Sequence, residues 1–155
     1  MIKVVFVCLG NICRSPLAEG IFKKMLAEHN LHDKIYVDSA GTAAYHIGDP
    51  PDKRSIEVAY KYGIILNHVG RQFKREDLHD FDYIIAMDSK NYAGIKSLGE
   101  GKGKVALMRD FDKQGRGKDV PDPYYGGMEG FEEVYQMAYR SCVELLKHIK
   151  NEGQF

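Results

Sequence analysis

The run Val4-Val5-Phe6-Val7 leaves this chain few options. Four β-branched or aromatic residues in succession predict a strand buried on both faces, as strands are inside a parallel sheet. The run passes directly into Cys8-Leu9-Gly10-Asn11-Ile12-Cys13-Arg14-Ser15-Pro16, where Pro16 suits the first turn of a helix. Apolar residues then recur at Leu17, Ile21 and Met25 and at Ala18, Phe22 and Leu26. Those two rows at spacing four predict a helix with one wide apolar face.

The alternation continues. Ile35-Tyr36-Val37 predicts a second strand that stops at Asp38, and Lys53 to Tyr62 a helix closed by Gly63. Tyr83 to Met87 reads as a third strand, Ser89 to Leu98 as a short helix, and Lys104 to Met108 as a fourth strand. Arg109 to Gly127 is irregular and rich in Gly, Asp and Lys, and a loop of that length inside a compact domain is either functional or disordered. Phe131, Val134, Tyr135, Ala138, Cys142, Leu145, Leu146 and Ile149 keep the three-and-four spacing of a long closing helix. Strands alternating with helices predict an α/β fold. The expectation is a single three-layer domain over residues 1–155, a parallel sheet flanked by helices, with a phosphate-binding loop between strand 1 and helix 1.

Composition narrows the function. The chain has 22 Lys or Arg against 22 Asp or Glu, so it lacks the net basic surface that non-specific nucleic-acid binding needs. No apolar run approaches the roughly 18 residues of a membrane span. "MIKVVFVCLG" turns polar too soon for a signal peptide. Three cysteines, an odd number, do not resemble a secreted disulfide framework. The expectation is a reduced, cytoplasmic enzyme with neither nucleic acid nor membrane as partner. His29 and His32 straddle a helix end without companion ligands, so no metal site is expected there. "GEGKGK" precedes a strand instead of following one, the wrong way round for a dinucleotide fingerprint, and no GxxxxGK[ST] is present.

Chemistry concentrates at the end of the first strand. In parallel α/β sheets ligands bind beyond the carboxyl ends of the strands, where Cys8 stands. The loop after it and the following helix N-terminus offer backbone N–H groups to an anion. Gly10 and Asn11 are residue types that tolerate positive φ, which a loop curled round an anion requires. Arg14 supplies a planar fork for two phosphate oxygens. A free thiol ionises near about 8.5, and lowering that by three units takes roughly 4 kcal/mol. A helix terminus supplies about 0.3–2 kcal/mol, so the loop amides, Arg14 and the Ser15 hydroxyl must provide the remainder. Cys8 then becomes a nucleophile for phosphoryl transfer. The long loop is the place to look for a further catalytic group, although the residues alone do not choose among Asp122, Asp38 and Asp88.

"VCLGNICRSP" from Val7, "DSAGT" from Asp38, "NHVGRQ" around His68, "DYIIAMD" from Asp82 and "VPDPYYGG" from Val120 follow in an order that resembles the low-molecular-weight protein tyrosine phosphatase family. The resemblance spans nearly the whole chain. It implies a four-stranded parallel sheet flanked by helices, and hydrolysis of phosphotyrosine in a protein or of a small aryl phosphate, with no metal or cofactor. It makes Cys8 the nucleophile and Arg14 the ligand of the phosphate and its transition state. Asp122 becomes the acid that protonates the leaving phenolate, then the base that activates water. Leu9, Gly10, Asn11, Ile12, Cys13 and Ser15 would form the cradle, with Ser15 donating to Cys8. Asn11, Ser39 and His68 would brace its turn, and Tyr45, His46, Tyr124 and Tyr125 would make the rim for a substrate ring.

Cys13 beside Cys8 resembles the family's neighbouring cysteines, which close a disulfide on oxidation. Cys142, on the apolar stripe of the last helix, reads as core. A cognate tyrosine kinase is the partner such an activity implies, and a monomer is the expected state. Two other activities occur on similar scaffolds. Arsenate reductases use two further mid-chain cysteines, and none stands between Cys13 and Cys142. Arginine phosphatases carry Thr where Ile12 stands, and the larger apolar residue favours an aryl phosphate. A module that only bound phosphotyrosine would need neither nucleophile nor acid.

Overall fold

β1, Ile2–Cys8, lies inside the sheet, with β2, Ile35–Gly41, on one side and β3, Tyr83–Ala86, on the other. β4, Lys104–Leu107, completes the order β2-β1-β3-β4, and every pairing is parallel. These positions belong to a computed structural model that describes residues 1–153. Side chains alternate across β1: Val4, Phe6 and Cys8 enter one core, Val5 and Val7 the other. Val4 to Val7 are wholly buried, which is the double coverage their sequence demands.

One face carries α1, Arg14–Glu28, α2, Lys53–Lys61, and α5, Met128–Gly153. The two apolar rows of α1 and the stripe of α5 from Phe131 to Ile149 fill this core. At its centre Phe6 meets Phe22 edge to face, ring centroids 5.7 Å apart. Burying a ring of that size contributes roughly 1.5–3 kcal/mol. Cys142 sits here, fully buried, and burial pushes its thiol well above the ordinary range, as suits a core residue. The opposite face carries α3, Asp77–Asp80, and α4, Ser89–Lys96, over Val5, Val7, Phe73, Phe81 and Ile84. Among the described residues no helix is long and apolar enough to cross a membrane.

Apart from strand ends that differ by one residue, three elements depart from the sequence expectation. β2 does not stop at Asp38 but runs to Gly41, paired with β1 as far as Cys8. Its polar residues look like breakers, yet each is satisfied: Asp38 accepts from Arg71 Nε at 2.8 Å, and Ser39 lies in a buried hydrogen-bond network. α3 was not expected, because four residues are too few to show a period; Leu78 seats it in the core. Arg109 to Gly127 does not begin irregularly, since Met108–Phe111 form a 3-10 turn. α2 ends as expected, with Gly63 at φ +78° just beyond it.

After that turn, Asp112 is fully buried and joins two elements. Its carboxylate accepts from Arg109 Nε at 2.9 Å and from Arg140 of α5 at 3.0 and 3.1 Å. Burial works to raise its pKa, but Arg140, the Gln114 N–H and Arg109 outweigh it and hold the carboxyl at about 2, below the 3.8 of a free side chain. A carboxyl depressed on folding stabilises the fold above its unfolded value and loses that contribution as pH falls through the folded one. Urea unfolding should therefore show stability declining between about pH 4 and pH 2 in the parent. Asp112→Asn should lack that component and cost roughly 3–5 kcal/mol at pH 7, because two arginines lose their partner. A variant as stable as the parent would show that this pair does not hold the turn to α5.

Candidate active site

Peptide geometry builds the site. The described chain has no cis peptide, so each N–H points away from the C=O of the residue before it. Between β1 and α1, four carbonyls are engaged by neighbouring segments. Cys8 O accepts from Thr42 N at 2.9 Å and Leu9 O from Ala43 N at 3.0 Å. Ile12 O accepts from Asp52 N at 2.8 Å, and Cys13 O from the Ser55 hydroxyl at 3.0 Å. The N–H groups of Leu9, Gly10, Cys13 and Arg14 are therefore turned the opposite way. Among the described residues, those of Gly10, Asn11, Ile12 and Cys13 donate to no protein acceptor. Gly10 and Cys13 belong to both sets, and with the positive end of α1 they make the loop beside Cys8 a candidate anion site.

Two small residues make this curl fit. A Cβ on Gly41 would lie 2.7 Å from Leu9 O and 3.1 Å from Asn11 N, so β2 passes under the loop only as glycine. Asn11 adopts φ +59°, as expected. Gly10 does not take the positive φ expected of it. Its use is space instead, since a Cβ there would sit 3.1 Å from His46 Cδ2.

The Asn11 side chain turns inward and braces the curl. Its Oδ1 accepts from Arg71 N at 3.0 Å, which fixes the amide's orientation, and faces His68 Nε2 at 2.6 Å. Its Nδ2 donates to Ser15 Oγ at 2.8 Å and Ser39 Oγ at 3.0 Å. Ser15 Oγ accepts there, and its hydroxyl hydrogen can point at Cys8 Sγ, 2.9 Å away, or at Ala40 O, 3.4 Å away, of which the sulfur is the nearer. Ser39 donates onward to Glu19 Oε1 at 2.6 Å, and His68 Nδ1 lies 3.1 Å from the same oxygen. Burial works to raise the Glu19 carboxyl, but hydrogen bonds from His68, Lys23 and Ser39 hold it below its ordinary value. Sequence reasoning missed Glu19. The signal was there: it stands four residues after Ser15, on the helix face that meets the cradle.

Arg14 is 2% exposed. Its Nη1 donates to Asp88 Oδ2 at 2.7 Å and to Val120 O at 2.9 Å, and Nη2 lies 3.7 Å from Asp122 Oδ2. The Nε–Nη2 edge makes no hydrogen bond within the described chain, leaving a fork for two oxygens. Burial opposes its charge, but Cys8, Asp88 and Asp122 raise its pKa above the ordinary value. Asp88 also caps α4, its Oδ1 accepting from Asn91 N at 2.8 Å. Asp88 is held by Arg14 and Asn91 N, and Asp38 by Arg71, whereas Asp122 is the most exposed of the three, with Tyr124 N on Oδ1 and Arg14 at 3.7 Å from Oδ2.

A pocket of about 220 Å³ opens above the loop. Cys8, Leu9, Gly10, Ile12, Cys13 and Arg14 line its floor and Asp122 one wall, with Tyr45, His46, Tyr124 and Tyr125 round the mouth. Asn11 and Ser15, expected to touch substrate, have their side chains beneath the floor; Ser39 and His68 are in the brace. His46 Nδ1 is held 3.1 Å from Asp49 Oδ2. Burial first, then Asp52, Cys8 and Asp122, push the Cys13 thiol up to about 12. Cys8 and Cys13 are both free.

A strand-to-helix loop that presents amides, a guanidinium and a sulfur to one anion defines a cysteine-based phosphate-handling protein. Comparison with known proteins narrows this. The family model "Low molecular weight phosphotyrosine protein phosphatase" matches residues 3–155. The low molecular weight protein-tyrosine-phosphatase YfkJ of Bacillus subtilis is 45% identical over 157 residues, covering 99% of each chain. Among solved structures, a protein tyrosine phosphatase from Entamoeba histolytica, with Hepes in the active site, superposes with TM-score 0.90 at 39% identity over 100% of both chains. A Drosophila arginine phosphatase gives TM-score 0.91 at 35% identity, covering 96% of this chain and 98% of its own. The chain belongs to the low molecular weight protein-tyrosine-phosphatase family.

If the Asn11 side chain holds the curl, Asn11→Gly keeps the left-handed backbone and removes only the brace. Inhibition by inorganic phosphate should weaken about tenfold, equivalent to roughly 1.4 kcal/mol, within the range of one or two lost buried hydrogen bonds. Asn11→Ala, which adds left-handed strain, should weaken it further. Equal inhibition constants for the parent and Asn11→Gly would remove the brace from this role.

Proposed function

We propose that Cys8, Arg14 and Asp122 hydrolyse phosphotyrosine and aryl phosphate monoesters through a phosphocysteine intermediate. The observation that carries this reading is Cys8 Sγ, 2.9 Å from the Ser15 hydroxyl at the head of a loop whose Gly10, Asn11, Ile12 and Cys13 N–H groups have no partners among the described residues. The phosphate's non-bridging oxygens take those donors and the Nε–Nη2 edge of Arg14. Sγ attacks phosphorus opposite the ester oxygen; the S–P bond forms as the P–O bond breaks, and Asp122 gives its proton to the departing phenolate. Water then attacks the phosphocysteine, passes a proton to Asp122, and expels Cys8 as thiolate. Donors already in place stabilise the charge on the equatorial oxygens without reorganising. Proton donation by Asp122 is worth about 10²–10⁴-fold.

The rim supports an aryl substrate. Tyr124 and Tyr125 meet edge to face at 5.0 Å, and Tyr45 stands 75% exposed across the pocket. Ile12 gives the floor an apolar wall with nothing to hydrogen-bond a phosphorylated guanidinium. Arginine phosphatase activity, the activity named for the Drosophila neighbour, is therefore the weaker reading. Three free thiols fit a reducing cytoplasm. The chain acts as one phosphatase domain, a monomer opposing a tyrosine kinase on a shared phosphoprotein.

Hydrolysis of para-nitrophenyl phosphate should persist in chelator and vanish in Cys8→Ser, with phosphoarginine turned over far more slowly than phosphotyrosine. Asp122→Asn should lower kcat/KM for phenyl phosphate by about 10²-fold or more while sparing esters of acidic phenols. Equal slowing of both ester classes takes Asp122 out of the acid role.

Cys13 supports a second, protective use of the pocket. Peroxide oxidises Cys8 sulfur to the sulfenic acid; the Cys13 thiol loses its proton as its sulfur attacks, forming the disulfide and releasing water. Parent enzyme treated with peroxide should recover fully with added thiol, and Cys13→Ser only in part. Full recovery of both would end that reading.

A further inference from the structure

The first turn of α2 touches both halves of the site. On the cradle side, Asp52 N donates to Ile12 O and the Ser55 hydroxyl to Cys13 O. On the acid side, Arg54 reaches across to the loop that carries Asp122. Its Nη2 donates to Tyr124 O at 2.9 Å and its Nη1 to Gly126 O at 3.0 Å. Nε and Nη2 also donate to Asp52 Oδ1 and Oδ2 at 3.1 and 3.0 Å, so the guanidinium is aimed before it reaches the loop. Its Cζ lies 4.5 Å from the Phe131 ring centroid and 5.7 Å from that of Tyr124.

The acid loop has little else to hold it. Residues 121–126 are exposed except for Pro123. Their internal hydrogen bonds are Tyr124 N to Asp122 Oδ1 at 3.1 Å and Gly126 N to Pro123 O at 3.0 Å. Among the described residues, the hydrogen bonds joining 121–126 to the rest of the chain are the two from Arg54. Outside its own loop, the Asp122 carboxylate has the 3.7 Å ion pair with Arg14.

We infer that Arg54 is the positioning residue of the acid loop: by clamping the Tyr124 and Gly126 carbonyls to the turn that anchors the cradle, it sets Asp122 against the leaving oxygen. This rests on the reading of Asp122 as the acid. Lysine cannot replace it in full, because one ammonium does not span two carbonyls and a carboxylate in a plane. The role belongs to the step in which the ester bond breaks and not to phosphate binding.

The test compares kcat/KM for phenyl phosphate with that for 2,4-dinitrophenyl phosphate, whose leaving group needs no proton. Inhibition by inorganic phosphate is measured alongside, in Arg54→Met, Arg54→Lys and Asp122→Asn. Arg54→Met keeps the stem over Phe131 and should lower kcat/KM for phenyl phosphate about tenfold, leaving the dinitrophenyl ester and phosphate inhibition within about twofold. Arg54→Lys should fall between it and the parent, and carries the test if the methionine variant does not fold. Added to Asp122→Asn, Arg54→Met should cost less than about twofold more, since the loop then has no proton to place. Equal losses on both esters, or phosphate inhibition weakened by the same factor, would overturn the inference while leaving Asp122 as the acid. An Asp122→Asn variant that slows both esters equally would overturn the acid assignment and this inference with it.

Discussion

The site depends on the partners of four carbonyl oxygens more than on any side chain that faces substrate. Cys8, Leu9, Ile12 and Cys13 each give their oxygen to a group outside the loop, two of them to the backbone just after β2 and two to the first turn of α2. A planar trans peptide cannot satisfy its C=O on one side without presenting its N–H on the other. The anion site is thus the complement of ordinary loop packing. It needs neighbours at the right height, which β2 supplies by running on to Gly41 and α2 by starting at Lys53.

Beneath the loop, the fold accepts several buried polar groups, each of which would be costly alone. Asn11, Ser15, Ser39 and Glu19 are all at most 3% exposed. Their donors and acceptors close on one another, with Arg71 N and His68 supplying the connections to the segment after α2. A satisfied network of this kind rigidifies, whereas removing one member strands the others. It meets the site at the Ser15 hydroxyl, 2.9 Å from Cys8 Sγ, and at Asn11, which is itself part of the loop. Rigidity deep in the brace reaches Cys8 through that contact and through the Asn11 backbone.

What could be read from residues alone followed the periodicities. The buried strand before Cys8, the apolar rows of α1 and the stripe of α5 all appear where spacing puts them, because burial is what spacing encodes. The cradle was legible because its parts are consecutive: strand end, loop, Arg14 and helix start within one short stretch. Asp88 was legible only as a rival acid. Its capping of Asn91 and its hold on Arg14 depend on β3 ending beside β1, which is tertiary information. The three aspartates separated only once their partners were visible. β2 was cut short because Asp38 and Ser39 look like turn residues, and a strand interior tolerates them only when Arg71, Glu19 and Asn11 are brought in from elsewhere.

The two halves of the site differ in how firmly they are held, and the chemistry asks for that difference. In the proposed reaction phosphorus stays in the cradle through both steps, first as ester and then as phosphocysteine, so the donors around it gain from being fixed in advance. They are held by β2, α2 and the buried brace. In the proposed reaction the loop that carries Asp122 serves two partners in turn. It must donate to a phenolate, let that product leave, and then accept from a water entering the same space. Tyr125 at 94% exposure and Asp122 at 41% describe a wall with few packing contacts to break when that exchange occurs. A fully packed loop would hold the acid better and release the phenol worse, since lid and loop motions of this kind often limit turnover. Anchoring such a loop at two backbone carbonyls leaves its side chains free to exchange partners while its path stays fixed.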